Sequence, residues 1–398
     1  MRKLFVLAVS LAAAGLLTSA VSAASASTHQ SVDGSALASN VCASTLPGAA
    51  GLTHLAGVVR AQSITTSCPG QKASGPPNGA PPLLWHGGPV MGTARTGPVV
   101  VTPIFWNPSG HPMSNSYKSI ITRYLLDVAL ASNSKTNVFS TLTEYYGING
   151  SINYRVGLGA PVNDTNPLPA NGCTLENVDT TGIYADNTGY DSCIDDDQVI
   201  AETQSVVAAR HLPVNLSHIY VLFIPKHVET CFFAGATNTG ANACTINHLP
   251  SAAYCAYHSM APSGMVYANL SYPIYESPVG YTCGTDNANL PPSVIQSPNG
   301  NPDADTEISP TSHEIMESIT DPDTETGWYD QFGFEDGDEC AYIYGPTYGA
   351  PGQLYNQVIH GDHYITQEEF SNRNWAASPV VNGTHQGGCI QGTWFQGS

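Results

Sequence analysis

PVVVTPIFW, residues 98–106, is an apolar run rich in β-branched and aromatic residues, and it decides the fold class. Such a short apolar run predicts a buried β-strand. A second run of this kind, SHIYVLFIP (217–225), predicts another buried strand. AAYCAYHS (252–259) and GMVYANLSYP (264–273) predict two further strands that follow each other closely and therefore pair.

Segments with helical spacing of apolar residues lie between these strands. SYKSIITRYLLDVALAS (116–132) and DDDQVIAETQSVVAARHL (195–212) predict helices, the second with acidic residues at its N-terminus. YNQVIHGDHYITQ (355–367) has the pattern of a hairpin. This order predicts an α/β (α+β) fold, a mixed β-sheet with packed helices. A zincin-like layer arrangement is compatible with the same order of elements.

The N-terminal residues predict export. Residues 1–23 have a positive start, a short apolar run and then small residues, with cleavage expected after Ala23 or Ala26, which is the pattern of a secretory signal peptide. Residues 24–84 are rich in Ala, Ser, Gly and Pro and predict a poorly ordered leader or propeptide-like linker. Residues 85–398 are predicted to form a single globular domain. We therefore expect a secreted, extracellular protein without a transmembrane helix.

Ten cysteines agree with that location, because an even count outside the cytosol favours disulfide bonds. The chain has no C-x-x-C pair of the kind found in zinc ribbons and redox sites. Pairing cannot be deduced from sequence, and the neighbouring pairs Cys42–Cys68 and Cys173–Cys193, with Cys340–Cys389, are working hypotheses. The disulfide candidates are Cys42, Cys68, Cys173, Cys193, Cys231, Cys244, Cys255, Cys283, Cys340 and Cys389.

The composition excludes two classes of partner. Only 11% of the residues are charged, and acids outnumber bases 31 to 12, so the surface repels nucleic acid and anionic membranes. The sequence also lacks the nucleophile elbow, the P-loop and the dinucleotide-binding glycine motif. Thirteen of the 31 acids lie between Asp303 and Glu339, and this acidic segment contains the residues best suited to chemistry.

TSHEIMESITDP (311–322) predicts a short helix within the acidic segment. Thr311 is a suitable N-cap and Pro322 opposes continuation, which places the helix at about 312–320. Thr311 and Glu314 also fit a capping box, in which Glu314 only bonds the backbone of the N-cap. On that structural interpretation, these residues perform no chemistry.

The same helix also fits a metal site. His313 and Glu317 stand four residues apart, about 40° round the helix, so both side chains can approach one point. Glu314 lies beside that point. This is the logic of the H-E-x-x-H motif, with a carboxylate in place of the second histidine and with the intervening glutamate activating water as the catalytic residue. Zinc is the expected metal, because it accepts both imidazole nitrogen and carboxylate oxygen.

A third ligand is expected from the loop that follows the helix, where the candidates are Glu335, Asp336, Asp338 and Glu339. Asp338 is favoured because it lies two residues before Cys340, whose disulfide would fix the loop. Glu335 is the second choice, and His360 and His363 in the later hairpin are outside candidates.

Two further roles are expected in this segment. Asp321 is predicted to orient His313 through the free ring nitrogen. DADTE (303–307) and DPDTE (321–325) repeat an Asp-x-Asp-x-Glu spacing, which offers the oxygen ligands that a structural Ca²⁺ ion prefers.

Three stretches resemble a set of secreted bacterial proteins that share H-E-x-x-E, T-D-P, a tryptophan and G-x-E-x-G-D-x-C. They are SHEIMESITDP (312–322), GWYDQFGFEDGDECA (327–341) and YNQVIHGDHYITQEEFSN (355–372). The resemblance implies that six residues act as a unit: His313, Glu314, Glu317, Asp321, Glu335 and Asp338.

The strand at 98–106 and the tyrosine-containing helix after it are also similar to the plant Exordium, or phosphate-induced protein 1, family. That family is associated with the cell wall and with growth signalling. Its members keep T-N-P where this chain has Thr320-Asp321-Pro322, and they lack the His-Glu pair. This second resemblance implies an extracellular protein without a settled biochemical activity.

Two functions follow as hypotheses. The first is a secreted metallopeptidase-like hydrolase acting on a peptide or protein, which an edge strand within 252–270 would hold by main-chain hydrogen bonds. The leader would then be inhibitory. The alternative is a non-catalytic Exordium-like protein that binds a wall polymer or another partner and contains structural calcium.

Overall fold

The computed structural model describes residues 58–60, 82–175, 189–236, 244–245, 254–273, 296–324 and 326–392. All of them belong to one unit of the chain, Gly34–Ser398. The predicted signal peptide, most of the predicted leader, and Cys42, Cys68 and Cys283 lie outside the described residues.

The secondary-structure elements fall into many short strands and a few helices. The strands are β1 (Val58–Arg60), β2 (Leu84–Trp85), β3 (Val99–Trp106), β4 (Tyr146–Gly147), β5 (Gly150–Ser151), β6 (Val156–Leu158), β7 (Val162–Asp164), β8 (Ser192–Asp195), β9 (His218–Phe223), β10 (Val228–Cys231), β11 (Tyr254–Met260), β12 (Val266–Leu270), β13 (Trp328–Tyr329), β14 (Gln357–Ile359), β15 (Asp362–Tyr364), β16 (Glu369–Phe370), β17 (Val380–Val381), β18 (Thr384–His385) and β19 (Cys389–Ile390). The helices are α1 (Asn115–Leu130), α2 (Asp196–Ala209), α3 (Pro302–Thr320) and α4 (Asn372–Ala377), with short 3-10 helices at Val138–Glu144 and Asp338–Cys340.

The main sheet has the strand order β1-β11-β12-β9-β3-β6, and β7 pairs with the C-terminal part of β3, whereas β6 pairs with its N-terminal part. The pairs β12–β9, β9–β3, β3–β6 and β3–β7 are parallel, whereas β11 is antiparallel to both β1 and β12. The predicted mixed β-sheet with packed helices is therefore confirmed. The parallel part contains the predicted apolar runs at 98–106 and 217–225, as expected for strands buried on both faces.

Helices cover both faces of this sheet. The alternation of side chains along β3 places Val99, Val101 and Phe105 in a cluster with α1 and α3, whereas Ile104 and Trp106 pack in a second cluster with α2. The helices predicted at 116–132 and 195–212 form as α1 and α2. Asp195 caps α2 in a capping box with Gln198.

Three disulfide bonds link cysteines within the described residues: Cys173–Cys193, Cys231–Cys244 and Cys340–Cys389. Two of them, Cys173–Cys193 and Cys340–Cys389, are pairings that the sequence suggested. No helix in the described part of the chain is long and apolar enough to cross a membrane.

One strand of the main sheet comes from the predicted leader. β1 pairs antiparallel with β11, with Val58 opposite Tyr257 and Val59 opposite Ala256. β1 also lies beside α3 and the 3-10 helix Asp338–Cys340. At least this part of the leader is therefore integrated into the fold, at the edge where the candidate site lies.

Candidate metal centre

Helix α3 carries the H-E-x-x-E motif and is longer than the sequence predicts. It begins at Pro302, after the N-cap Asn301, and every residue from Ala304 to Thr320 is buried. Thr311 is an interior residue whose hydroxyl donates to the carbonyl of Glu307 at 2.7 Å. The capping-box interpretation of Glu314 is therefore wrong, because Glu314 lies more than two turns inside the helix.

His313 and Glu317 approach each other as two ligands of one ion would. Nε2 of His313 lies 2.7 Å from Oε1 of Glu317, and both side chains are fully buried. This nitrogen nevertheless lacks a hydrogen-bond partner of acceptable geometry. Two ligands of one zinc ion, each about 2 Å from it, would lie about 3.3 Å apart. A small spreading of the pair would therefore admit a metal.

The imidazole of His313 is held by two neighbours. A Cβ atom on Gly337 would lie 2.7 Å from ring atoms Cγ and Nδ1, so only glycine fits beside the ring. Nε2 of Gln367 lies 2.9 Å from Nδ1 and also donates to the carbonyl of Gly337 at 2.6 Å. A metal on Nε2 would require the ring proton on Nδ1, where the amide group of Gln367 now lies, so metal binding would require the side chain of Gln367 to rearrange.

His258, on β11, is a site residue that sequence reasoning missed. Its Nε2 lies 3.0 Å from the backbone carbonyl of Asp321, which fixes the ring proton on Nε2. Its Nδ1 faces two carboxylates, at 3.2 Å from Oε2 of Glu314 and 3.7 Å from Oε2 of Glu317. Burial lowers the pKa of His258 to about 4, so the ring is neutral. Its lone pair therefore faces carboxylate oxygens, which requires a proton or a cation between them.

Asp321 orients a histidine, but a different one from the histidine that we predicted. Its backbone carbonyl accepts from His258, while its side-chain Oδ1 accepts from the backbone N–H of Gly327 at 2.6 Å. The ring neighbour of His313 is Gln367 instead. The prediction fails in this detail because a backbone carbonyl, available at any residue, takes the role that we gave to a carboxylate.

The loop after β13 supplies the remaining carboxylates. Oε1 of Glu335 lies 3.9 Å from Nε2 of His258, and both carboxylate oxygens of Glu335 are buried without a hydrogen-bond partner. Asp338 lies at the rim of the cluster, with Oδ1 3.9 Å from Nε2 of His313. Its backbone N–H donates to Oε1 of Glu317 at 3.0 Å, and its Oδ2 accepts from the N–H of Glu335 at 3.3 Å. Asp338 thus fixes the loop.

The ligand atoms form two overlapping groups. Those of His258, Glu317 and Glu335 lie within 4.8 Å of one another, and so do those of His313, Glu314 and Glu317. Glu317 belongs to both groups. The structure therefore favours Glu335 over Asp338 as the carboxylate that joins Glu317, and it adds a second histidine.

The surrounding charge is strongly negative and buried. Burial raises the pKa of Glu335 well above its ordinary value, and the charges of Glu317 and Asp321 raise it further. Burial also raises the pKa of Asp336 to about 6, and that of Glu369 well above its ordinary value. Carboxylates in such surroundings retain protons or bind a cation. A divalent ion among the ligand atoms would satisfy several of them at once.

The other two candidates for the third metal ligand, His360 and His363, have different neighbours. The half-exposed side chain of His360 has its Nδ1 3.6 Å from Oδ1 of Asp127. The ring of His363 stacks on Tyr355, with the centroids 3.8 Å apart.

The run 303–307 is part of α3 and is not a calcium loop. Residues two apart on a helix differ in direction by about 200°, so Asp305 points away from Asp303 and Glu307. Asp305 accepts hydrogen bonds from Ser297 and Asn299, whereas Glu307 accepts one from the hydroxyl of Tyr117. The run 321–325 includes one residue outside the described part of the chain.

A sulfur cluster also has metal-like spacing. Ligand atoms of Cys173, Cys193 and Cys231 lie within 4.8 Å of one another. All three are disulfide-bonded, however, and the deprotonated thiol is the form that binds metal. The histidine–glutamate cluster is therefore the stronger site.

No protein-family model, curated protein or solved structure matches the chain. The resemblance to the bacterial H-E-x-x-E proteins and to the Exordium family stays a prediction. Evidence for function therefore comes from the histidine–glutamate cluster itself.

One signal in the sequence points to His258. Strand alternation places it on the same face of β11 as Ala256, which packs in the cluster that contains α3. A histidine on the core face of a strand, next to a helix with an H-E pair, is a candidate ligand. His258 is far along the chain from the H-E-x-x-E helix, so the sequence alone does not show that the two lie close together.

Proposed function

We propose that this protein is a secreted metal-dependent hydrolase of the metallopeptidase type, with zinc as its metal. The observation that carries the proposal is that Glu317 belongs to two groups of possible ligand atoms, one with His258 and Glu335 and one with His313 and Glu314. His258 and His313 come from different elements of the fold, and each has its other ring nitrogen engaged by a neighbour. Imidazole and carboxylate are the ligand types that a catalytic zinc ion uses.

The bound metal would polarise the substrate carbonyl and make a water molecule acidic. Glu314 has its Oε2 3.2 Å from Nδ1 of His258, at the border of the ligand cluster. From there it would take the proton of the attacking water and return it to the leaving amine, as the C–N bond breaks. Asp321 and Gln367 would keep the two rings in orientation.

The first test is the metal content of the protein, purified from an oxidising compartment without chelator. We expect near-stoichiometric zinc, lost by His313→Ala and by His258→Ala. His360→Ala is the matched control and should retain the metal, because its side chain is 54% exposed and lies against Asp127, which is not a candidate ligand. Calcium alone, or no metal in the parent protein, would contradict the proposed centre.

The second test concerns Glu314. We expect Glu314→Gln to keep the fold and the metal, while casein or peptide cleavage falls by a factor of about 10² or more. Equal cleavage by the parent protein and by this variant would show that Glu314 is not the catalytic base.

A second candidate function is favoured by the burial of the site. The side chains of His258, His313, Glu317 and Glu335 are all fully buried, as expected of a metal that only stabilises a fold. A non-catalytic Exordium-like binding protein would then bind zinc without turnover. Both functions predict bound zinc. The binding protein would differ from the hydrolase in that it would cleave no peptide or casein under any condition.

A further inference from the structure

The strand β1 lies at the edge of the main sheet, beside the strand β11 that contributes His258 to the candidate centre. Without β1, the strand β11, which carries His258, would be the edge of the main sheet. Instead, Val58, Val59 and Arg60 pair with Tyr257, Ala256 and Tyr254 in antiparallel register. Val58 thus lies opposite the residue that immediately precedes His258.

The same three residues lie close to the other elements of the centre. β1 lies beside α3, which carries His313 and Glu317, and beside the 3-10 helix Asp338–Cys340. A segment of extended backbone therefore runs next to β11, α3 and the 3-10 helix that follows Glu335.

An exposed strand edge binds extended peptides, because it offers unpaired N–H and C=O groups at regular spacing. Resting on the proposed function, we infer that β1 occupies the substrate-binding edge of the enzyme. The substrate is an extended peptide segment that adds antiparallel to β11 and must displace β1. The protein with β1 in place is a latent form.

The register also constrains the substrate. A peptide in the place of β1 has its residues opposite Tyr254 to Tyr257, and its continuation past the position of Val58 enters the region of His258. The two β1 residues paired with Tyr257 and Ala256, Val58 and Val59, are β-branched. Substrates with extended, β-branched segments should therefore compete with β1 better than helical or proline-rich ones.

The test compares two double variants of the full chain. Val58→Pro with Val59→Pro removes the backbone N–H groups of two adjacent β1 residues, one of which points toward β11, whereas Val58→Ala with Val59→Ala keeps both groups and is the matched control. We expect the proline variant to lose zinc to a chelator at least tenfold faster than the parent protein and to cleave casein at least tenfold faster. The alanine variant should remain within about threefold of the parent protein in both measurements.

Adding back a synthetic peptide of residues 54–64 should inhibit the proline variant. Identical zinc release and identical cleavage in all three proteins would overturn the inference. Faster zinc release by the proline variant without cleavage by any protein would support the covering role of β1, while refuting the proposed hydrolase. Failure of the inference about β1 is therefore distinguishable from failure of the proposed hydrolase function.

Hydrogen exchange on the unaltered protein provides a test that is independent of variant folding. We expect slow exchange at the paired amides of Val58–Arg60, and faster exchange there when a cleavable peptide is present in excess. Unprotected amides at these residues in the absence of peptide would overturn the inference.

Discussion

Gly337→Ala tests whether His313 is a metal ligand held in place by close packing. The added Cβ would lie 2.7 Å from Cγ and Nδ1 of His313 and 2.8 Å from Cε1. Carbon atoms pack at about 3.5–4.0 Å, so the ring or the loop must move by roughly 1 Å. A metal site tolerates deviations of about 0.2 Å in its ligand distances. The ring would therefore leave the position that a metal requires.

The magnitude follows from these distances. Loss of a residue that orients a ligand typically costs 10–100-fold in metal affinity, and we expect Gly337→Ala to lose about 100-fold. Overpacking should also lower the free energy of unfolding by about 1–3 kcal/mol.

The assay is competition for zinc with a chelator of known affinity, performed well below the unfolding temperature. Gly157→Ala is the control, because its Cβ would meet only ordinary contacts, at 3.8 Å from the carbonyl oxygen of Val99 and 3.9 Å from Cγ2 of Val100. Unchanged zinc affinity in folded Gly337→Ala would refute the assignment of His313 as a ligand.

Two further predictions concern stability. Burial raises the pKa of Glu368 to about 8 and that of Asp336 to about 6, so between the ordinary carboxyl pKa and these values the folded protein binds more protons than the unfolded chain. The metal-free protein should therefore unfold at a higher temperature at pH 6 than at pH 8, and the opposite order in calorimetry would contradict the burial of these acids. The disulfide Cys340–Cys389 closes a separation of 49 residues next to the ligand loop. Replacing both cysteines by serine should cost about 4 kcal/mol in urea unfolding and weaken zinc binding, whereas unchanged zinc affinity would show that the loop is held without the bond.

Local pattern was sufficient to predict the sheet and the first two helices. The apolar runs at 98–106 and 217–225 are buried strands because both faces of the sheet are covered by helices. The hairpin predicted within 355–367 forms as β14 and β15. In each case the residues that determine the structure are neighbours in the chain.

The start of α3 could not be predicted in this way. Residues 302–310 contain acids and Pro310, which locally favour a loop or a turn. They form a helix because Ile308 and Ala304 pack into the main core, and Pro302 at the first helical position supports its start. Tertiary burial has overridden local propensity, and Thr311 consequently changes from a cap to an interior residue.

The candidate centre was predicted in part. The helical spacing of His313 and Glu317 is a local property, so their convergence could be deduced. His258 comes from a different element, and its approach to Glu314 depends on how β11 packs against α3. The choice between Glu335 and Asp338 depends on the path of a loop, which sequence spacing does not determine.

The dispersal of the ligands has a consequence for the order of folding. His258 lies on β11, Glu317 on α3, and Glu335 on the loop after β13. These atoms meet only after long loops have closed, which is slow and unfavourable until the sheet and the helix have docked. A metal that needs all of them binds the finished fold and none of its precursors, and by mass action it stabilises that end state alone. Metal binding would therefore be the last step of folding, and only completely folded molecules would contain the ion.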